Sequence, residues 1–415
     1  MNLAVIKAPV IDWWALSPII ALTVGAILVL GAGLLGSERL RSWLVPVLAF
    51  DSLVVAAVLL AMRWNDPATI ISGALEVDNL AVAMGLICMV GGLVAVVLSM
   101  RMDTEESIGR GEYHALLVFT VLGMVILIAA NDLVTLFAGL ELLSISLYVL
   151  CAAELRRERS LEAGLKYLII GSVGSATLLY GSALLYGATG STSLTKIGTA
   201  LAGSSLLGDP LLLAGIALMI VGLAFKASVA PFHQWTPDVY EGSPTPITQF
   251  MSVATKAAAF GIIVRMLAGP LLPAVEQWQP ALAALATISI VVGNFGALGQ
   301  DSVKRMLAWS SIAQAGYLLA AITVASALGI QALVFYMLVY AVMTIAAFAV
   351  VVEVERTGVD GDRVAGFAGL GRTRPVLAVA MTLSMLSLAG LFAGFFGKVE
   401  IISALAEGGF SWLAI

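Results

Sequence analysis

The chain has 415 residues, of which 60% are hydrophobic and only 11% are charged. Soluble domains carry about 25% charged residues, so the composition excludes a soluble globular protein and indicates a polytopic membrane protein. There are only two cysteines and two histidines, and there is no CxxC pair, Walker motif or glycine-rich nucleotide loop. We therefore expect no metal centre, ATP hydrolysis or electron carrier on this chain.

Twelve apolar segments approach the ~20 residues that a bilayer-spanning helix needs, and they predict an all-α polytopic fold. They lie at about 17–35, 43–62, 80–100, 113–130, 133–153, 163–186, 210–240, 246–267, 280–298, 303–324, 328–352 and 375–413. Span seven is predicted to break near Lys226 to Pro231, because proline cannot donate a backbone hydrogen bond. Span twelve is predicted to break near Gly397 and Lys398.

Basic residues are distributed unevenly between the two sides of this twelve-span arrangement. One side holds fourteen of them, and the other side holds only Lys7, Arg63, Lys196 and Arg265. The positive-inside rule places the richer side in the cytoplasm and the N-terminus outside it. We expect the chain to lie in a bacterial plasma membrane. The three basic residues that topology does not explain lie inside spans: Lys226, Lys256 and Lys398.

A faint internal repeat relates the two halves of the chain. Span seven breaks at AFKASVAPF and span twelve at FAGFFGKVEII, while spans five and ten share serine and tyrosine in ELLSISLYVL and SSIAQAGYLL. An offset of five helices predicts two copies that are inverted across the membrane. The predicted domains are three N-terminal helices at 1–108, a first five-helix bundle at 109–270 and a second bundle at 271–415.

Glu141, in the middle of span five, is the first candidate functional residue. A carboxylate at that depth costs roughly 2.5–3.5 kcal/mol unless it is paired or protonated. Lys226 is the expected partner, because its helix break opens a polar cavity. Such a pair would control the proton affinity of the lysine, since burial favours neutral lysine and a nearby carboxylate favours charged lysine. The alternative is a static buried salt bridge, which would not need a helix break.

Three further residues are candidates for proton transfer. Lys256 is predicted near mid-membrane, where a relay is favoured over a lysine that snorkels to the interface. His233 lies seven residues after Lys226, which predicts the same helix face, and an imidazole can shuttle protons; the alternative is a histidine that supports the break. Lys398 belongs to the second break and either conducts protons or pairs with Glu400.

Other ionisable residues allow two interpretations. Lys166 either modulates the predicted glutamate–lysine pair or is one of the cytoplasmic positive charges. Lys304 is explained by topology, although a position in the interior stays open. Asp51 is predicted to be a buried acid in span two, without an assigned role. Asp238 and Glu241 are predicted to be capping acids in a surface loop.

The segment PFHQWTPDVYEGSPTP, with AFK before it and SVATK after it, resembles the antiporter-like membrane subunits of respiratory complex I, the NADH:quinone oxidoreductase. Tyr240, Gly242 and Ser243 resemble the N-type branch, called subunit 2 in chloroplasts and cyanobacteria. The L and M types and the multisubunit sodium/proton antiporters typically have a histidine and Ala-Pro there. NDLVTLFAGLELLSISLYVL and DSVKRMLAWSSIAQAGYLL also match, and the resemblance covers about 113–400.

The resemblance implies a membrane-arm subunit that translocates protons, coupled to quinone reduction in other subunits. It implies two inverted five-helix bundles with broken helices seven and twelve. It assigns proton-transfer roles, by motif position, to Glu141, Lys226, Lys256, Lys398, Lys166 and His233. No cofactor is expected on this chain, whereas quinone, NAD, FMN and iron–sulfur clusters are expected on partner subunits. The expected partners are other complex I membrane subunits, antiporter-like and small ones among them, and the lipid bilayer, but not nucleic acid.

Members of this family usually have fourteen helices. The second bundle is therefore expected to lack its fifth helix in the present sequence. Two alternative functions stay open at this point: a subunit of a sodium/proton antiporter, and a membrane scaffold that does not pump.

Overall fold

The computed structural model describes residues 11–100, 108–203, 205–356 and 361–414. Lys7 and Arg101, two of the basic residues used to predict topology, lie outside these ranges. The helices of eight residues or more are α1 Trp13–Gly33, α2 Glu38–Ala61, α3 Asn79–Ser99, α4 Arg110–Ala129, α5 Leu133–Cys151, α6 Glu158–Thr189, α7 Leu194–Leu201, α8 Pro210–Lys226, α9 Trp235–Gly242, α10 Thr245–Leu267, α11 Val275–Ala297, α12 Val303–Thr323, α13 Ala327–Glu355, α14 Pro375–Ala389 and α15 Phe392–Glu407.

Within the described ranges, eleven helical segments are long and apolar enough to cross a membrane, and α14 with α15 counts as one of them. Helix α8 is shorter, at 17 residues, but the chain resumes as α9 after an interruption. Together α8 and α9 form the broken seventh span that the sequence predicts. The prediction of an all-α polytopic fold with about twelve spans is confirmed.

A small β-hairpin and α7 lie at the membrane end opposite the predicted cytoplasmic side. Strands β1 Ala68–Ile70 and β2 Leu75–Val77 pair in antiparallel register. Single bridges join Leu75 to Ala130 and Asp132 to Ser193, so the hairpin, the α4–α5 turn and the approach to α7 form one layer. The sequence did not predict either element.

The break between α8 and α9 is stabilised by side chains. Helix α8 ends at Lys226, and residues 227–234 are not helical. The Phe225 carbonyl accepts a hydrogen bond from Trp235 Nε1 at 3.2 Å, and the Ala230 N–H donates to Ser289 Oγ at 2.9 Å. Irregular backbone is tolerated at membrane depth only where protein or water satisfies it, and these contacts meet part of that requirement.

The second break does not lie where it was predicted. Helix α14 ends at Ala389. The next residue, Gly390, has a φ of 108°, which is accessible to glycine, and α15 starts at Phe392. Lys398 therefore lies inside a regular helix and not at its break. Gly397 serves close packing instead, because a Cβ there would lie 2.3 Å from the Tyr336 ring.

Candidate functional site

Lys226 is the last residue of α8 and is 5% exposed. Its Nζ donates to Ser144 Oγ on α5 at 2.9 Å and to Tyr167 OH on α6 at 3.0 Å. The ammonium also lies 5.2 Å from the centroid of the Tyr167 ring. The helix break thus delivers a lysine into the interior, where neutral hydroxyl groups hold it.

Glu141 and Lys226 do not form the predicted salt bridge. Ser144, one turn after Glu141 on α5, takes the position next to the lysine. Glu141 Oε1 is buried and has no hydrogen-bond partner among the described residues. The partners of the Lys226 ammonium are therefore the hydroxyls of Ser144 and Tyr167 and not the Glu141 carboxylate.

Lys256 follows a π-helical turn, Met251–Thr255, in the middle of α10. Such turns are often found at functional sites. Lys256 is 2% exposed, and its Nζ donates to the Ser311 carbonyl on α12 at 2.6 Å. This position matches the predicted interior lysine and excludes snorkelling.

Polar side chains on α12 and α13 form two hydrogen-bonded pairs, one beside Lys256 and one beside Lys398. Tyr340 OH donates to Ser311 Oγ at 3.1 Å. One turn further along α12, Gln314 accepts from Tyr336 OH and donates to the Leu388 carbonyl at 3.0 Å. The sequence interpretation missed these four side chains, although SSIAQAGYLL contained two of them as part of the repeat.

Lys398 donates to the same Leu388 carbonyl at 3.4 Å and to the Ala389 carbonyl at 3.4 Å. Its Nζ also lies 4.4 Å from the centroid of the Tyr317 ring. It forms no ion pair with Glu400, which is exposed. The Lys398 side chain, which extends from α15, thus places its ammonium at the C-terminal end of α14. This position is favourable because the last carbonyls of a helix carry partial negative charge.

His233 lies in the non-helical segment between α8 and α9, so the same-face argument that placed it beside Lys226 is wrong. The imidazole packs against Trp309, with ring centroids 5.3 Å apart. His233 Nδ1 is buried and accepts or donates no hydrogen bond within the part of the chain that the structure describes. The histidine is therefore next to α12 and has a ring nitrogen available for water.

Lys166 belongs to an ion network at the predicted cytoplasmic end. It contacts Glu162 at 2.7 Å and Asp238 at 2.8 Å, and Arg305 contacts Asp238 at 2.7 Å and Glu241 at 2.9 Å. Asp238 and Glu241 are thus not loop caps, because they tie α9 to α6 and α12. The network lines a cavity of about 260 Å³.

The burial of two other ionisable residues, Lys304 and Asp51, differs from what the sequence favoured. Lys304 is fully buried, so topology alone does not explain it: its Nζ donates to the Ser243 carbonyl at 2.7 Å and lies 3.9 Å from Glu355. Asp51 was predicted to be buried, but it is exposed on the outer side of α2.

Several buried polar atoms in the stretch from Lys226 to Lys256 have no hydrogen-bond partner in the described ranges. They are His233 Nδ1, Thr236 Oγ1, Ser243 Oγ and both amide atoms of Gln249. Buried polar groups are normally hydrogen-bonded, and those without a protein partner commonly bind water. This stretch can therefore hold water between the two lysines. Among the described residues, no three His, Cys, Asp or Glu side chains come together as metal ligands.

The fold and the row of interior lysines define a class: antiporter-like membrane proteins with interrupted helices. The family model "NADH:quinone oxidoreductase/Mrp antiporter, TM" matches residues 130–415. The chain belongs to this family, and the predicted resemblance is confirmed.

Curated relatives and a solved structure support the same assignment. The chain is 42% identical to NADH-quinone oxidoreductase subunit N of Chloroflexus aggregans, covering 98% of this chain and 84% of that protein. It is 40% identical to NAD(P)H-quinone oxidoreductase subunit 2 of Prochlorococcus marinus, covering 94% and 74%. It also matches a chain in the structure of respiratory complex I from Thermus thermophilus with bound aureothin, at 37% identity and a TM-score of 0.81, covering 96% and 85%. The N-type resemblance is confirmed.

Proposed function

We propose that this chain is a proton-translocating subunit in the membrane arm of an NADH:quinone oxidoreductase. One observation carries the proposal: Lys226, Lys256 and Lys398 are all held by neutral oxygen atoms. A neutral acceptor can bond to either the ammonium or the amine. Each lysine can therefore lose and regain a proton without losing its anchor, which a tight carboxylate pair would oppose.

The path starts at the cytoplasmic cavity lined by Lys166 and Asp238 and reaches Lys226. Water bound near His233 and Gln249 then connects Lys226 to Lys256. Ser311, Gln314 and the Leu388 carbonyl lead from Lys256 to Lys398. Movement of the Glu141 carboxylate toward Lys226 raises the affinity of that lysine for its proton, and movement away lowers it.

Redox chemistry takes place elsewhere in the complex. NAD, FMN, iron–sulfur clusters and quinone are assigned to partner subunits, and this chain supplies no redox group. The complex lies in a bacterial plasma membrane, with the N-terminus of the chain outside the cytoplasm. Neighbouring antiporter-like and small membrane subunits, together with lipid, surround it.

The proposal is tested by replacing Lys226 with methionine, which keeps the length of the side chain and removes its charge. Proton uptake per NADH oxidised should fall several-fold in inverted membrane vesicles, with assembly of the complex retained on native gels. Lys196→Met is the matched control, because Lys196 is exposed on α7, and it should pump normally.

Full pumping stoichiometry in the Lys226→Met complex would contradict the proposed path and favour the alternative of a membrane scaffold that does not pump. Assaying the same vesicles without sodium distinguishes the proposed proton translocation from sodium/proton antiport. Proton pumping should persist without sodium, and a strict sodium requirement would favour sodium/proton exchange.

A further inference from the structure

Asp51 is an ionisable side chain that the proton path does not use. It is the fourteenth of 24 residues in α2, so it lies close to mid-membrane. The side chain is exposed on the outer surface of the chain and has no hydrogen bond or ion pair among the described residues. A carboxylate facing lipid at that depth is costly, and such residues almost always face a partner or a water-filled cavity.

No cation of the described chain near α2 can serve Asp51. The basic residues at the two ends of α2 are Arg41, ten residues before it, and Arg63, twelve residues after it. At 1.5 Å per residue these are about 15 and 18 Å away along the helix. Arg63 is also paired with Asp66. A cation that pairs with the ionised Asp51 would therefore have to come from another molecule.

Asp51 borders a groove of about 510 Å³ between α1 and α2. On α1 the groove is lined at positions 17, 21, 24 and 28, and on α2 at positions 48, 51, 55 and 59. Both sets follow helical spacing and extend over three turns, or about 16 Å. A groove of this shape matches a helix lying along α1 and α2.

The α1 side of the groove has small residues where a second helix would approach closely. Ser17 and Ala21 line it one turn apart, and small residues at this spacing let transmembrane helices pack tightly. The hydroxyls of Ser17 and Ser52 donate to carbonyls of their own helices, so they leave the carboxylate without a donor.

We infer that the α1–α2 groove docks a transmembrane helix of a neighbouring membrane subunit that carries a lysine or arginine at mid-membrane, paired with Asp51. Charge complementarity decides between this occupant and lipid, because an acyl chain cannot pair with the carboxylate. The inference rests on the proposed function only in that the neighbour belongs to the same complex. Proton pumping does not enter its test.

The test places a photo-reactive benzophenone amino acid at Val24 or at Leu30 in the assembled complex. Both residues are on α1 and exposed, 48% and 41% respectively, but they point about 120° apart around the helix. Only Val24 lines the groove. The probe at Val24 should cross-link to one subunit of the complex, on a transmembrane peptide containing lysine or arginine. The probe at Leu30 should not give this product.

Asp51→Leu should abolish that cross-link and release the neighbouring subunit in mild detergent. A charge swap should restore both: Asp51→Lys combined with aspartate in place of the basic residue identified in the cross-linked peptide. Lipid adducts alone at Val24, a cross-linked peptide without a basic residue, or normal retention of all subunits in Asp51→Leu would each overturn the inference. None of these outcomes depends on whether Lys226 carries protons.

Discussion

At the scale of single residues, the interior lysines differ in whether they form an ion pair. Lys226, Lys256 and Lys398 bond to hydroxyl or carbonyl oxygens. Lys304 differs, because a carboxylate oxygen of Glu355 lies 3.9 Å from its Nζ. A nearby carboxylate favours the charged ammonium. We therefore propose that Lys304 holds α12 against α13 and that the other three lysines transfer protons.

Gln314 gives a sharp prediction at this scale. Gln314→Leu keeps the size of the side chain but removes the link between Tyr336 and the Leu388 carbonyl. Proton uptake per NADH oxidised should fall several-fold in membrane vesicles, because transfer between Lys256 and Lys398 loses its polar bridge.

Gln279→Leu is the control, since Gln279 on α11 also donates to a backbone carbonyl, that of Thr323, at 2.7 Å. Gln314→Leu removes two hydrogen bonds and Gln279→Leu removes one, each worth about 1 kcal/mol. Equal pumping losses in the two variants would show that Gln314 acts only through stability.

At the scale of secondary-structure elements, interrupted helices position the lysines. Lys226 ends α8, Lys256 follows the π-helical turn of α10, and Lys398 bonds to the end of α14. Each interruption is held by a neighbouring helix. The placement of a lysine therefore depends on how closely the helices pack.

Gly222→Ala tests this dependence one turn before Lys226. A Cβ there would lie 2.7 Å from Leu178 Cβ and 2.9 Å from Leu178 Cα on α6, so α8 must move away from α6. Overpacking of this kind costs about 1–3 kcal/mol. Both the thermal stability of the solubilised complex and its proton uptake should fall, because Lys226 would move away from Tyr167.

Gly31→Ala is the matched change on α1, where a Cβ would meet nothing within 4 Å. It should leave pumping unchanged and stability equal or slightly higher, because alanine is the better helix former by up to about 1 kcal/mol. A Gly222→Ala complex as stable as wild type would show that α8 can shift without cost.

At the scale of the whole molecule, the two membrane ends carry different polar groups. One end has the network of Lys166, Asp238 and Arg305. The other has the β-hairpin, where Arg265 pairs with Asp78 at 2.6 Å and donates to the Ile128 carbonyl. The sides assigned to Lys166, Arg305 and Arg265 from charge distribution agree with these contacts.

Single cysteines test the orientation. Ser37→Cys lies between α1 and α2 on the predicted cytoplasmic side, and Lys196→Cys lies on α7 at the opposite end. A membrane-impermeant maleimide should label Lys196→Cys in intact cells, but Ser37→Cys only after the membrane is permeabilised. The native Cys88 and Cys151 are buried and should not react. The reverse labelling pattern would show that the chain has the opposite orientation in the membrane.

Much of the site could be predicted from local sequence. A lysine within an apolar run, a proline after it and the PFHQWTPDVYEG motif identify Lys226 and Lys256 without knowledge of their neighbours. The position of the second break was predicted wrongly because both Gly390 and Gly397 are possible helix ends in sequence. In the structure Gly390 takes the positive φ, whereas Gly397 stays helical and packs against Tyr336.

The sequence by itself determined the number of spans, the family and the interior lysines, because hydropathy and motifs are properties of contiguous residues. Only the tertiary structure decided that Glu141 and Lys226 are not bonded, that Lys304 is buried, and that Asp51 faces outward. Helices that are apolar on all sides carry no amphipathic pattern to show which face points inward. The partners of Lys226, Ser144 and Tyr167, therefore become known only when α5, α6 and α8 are packed together.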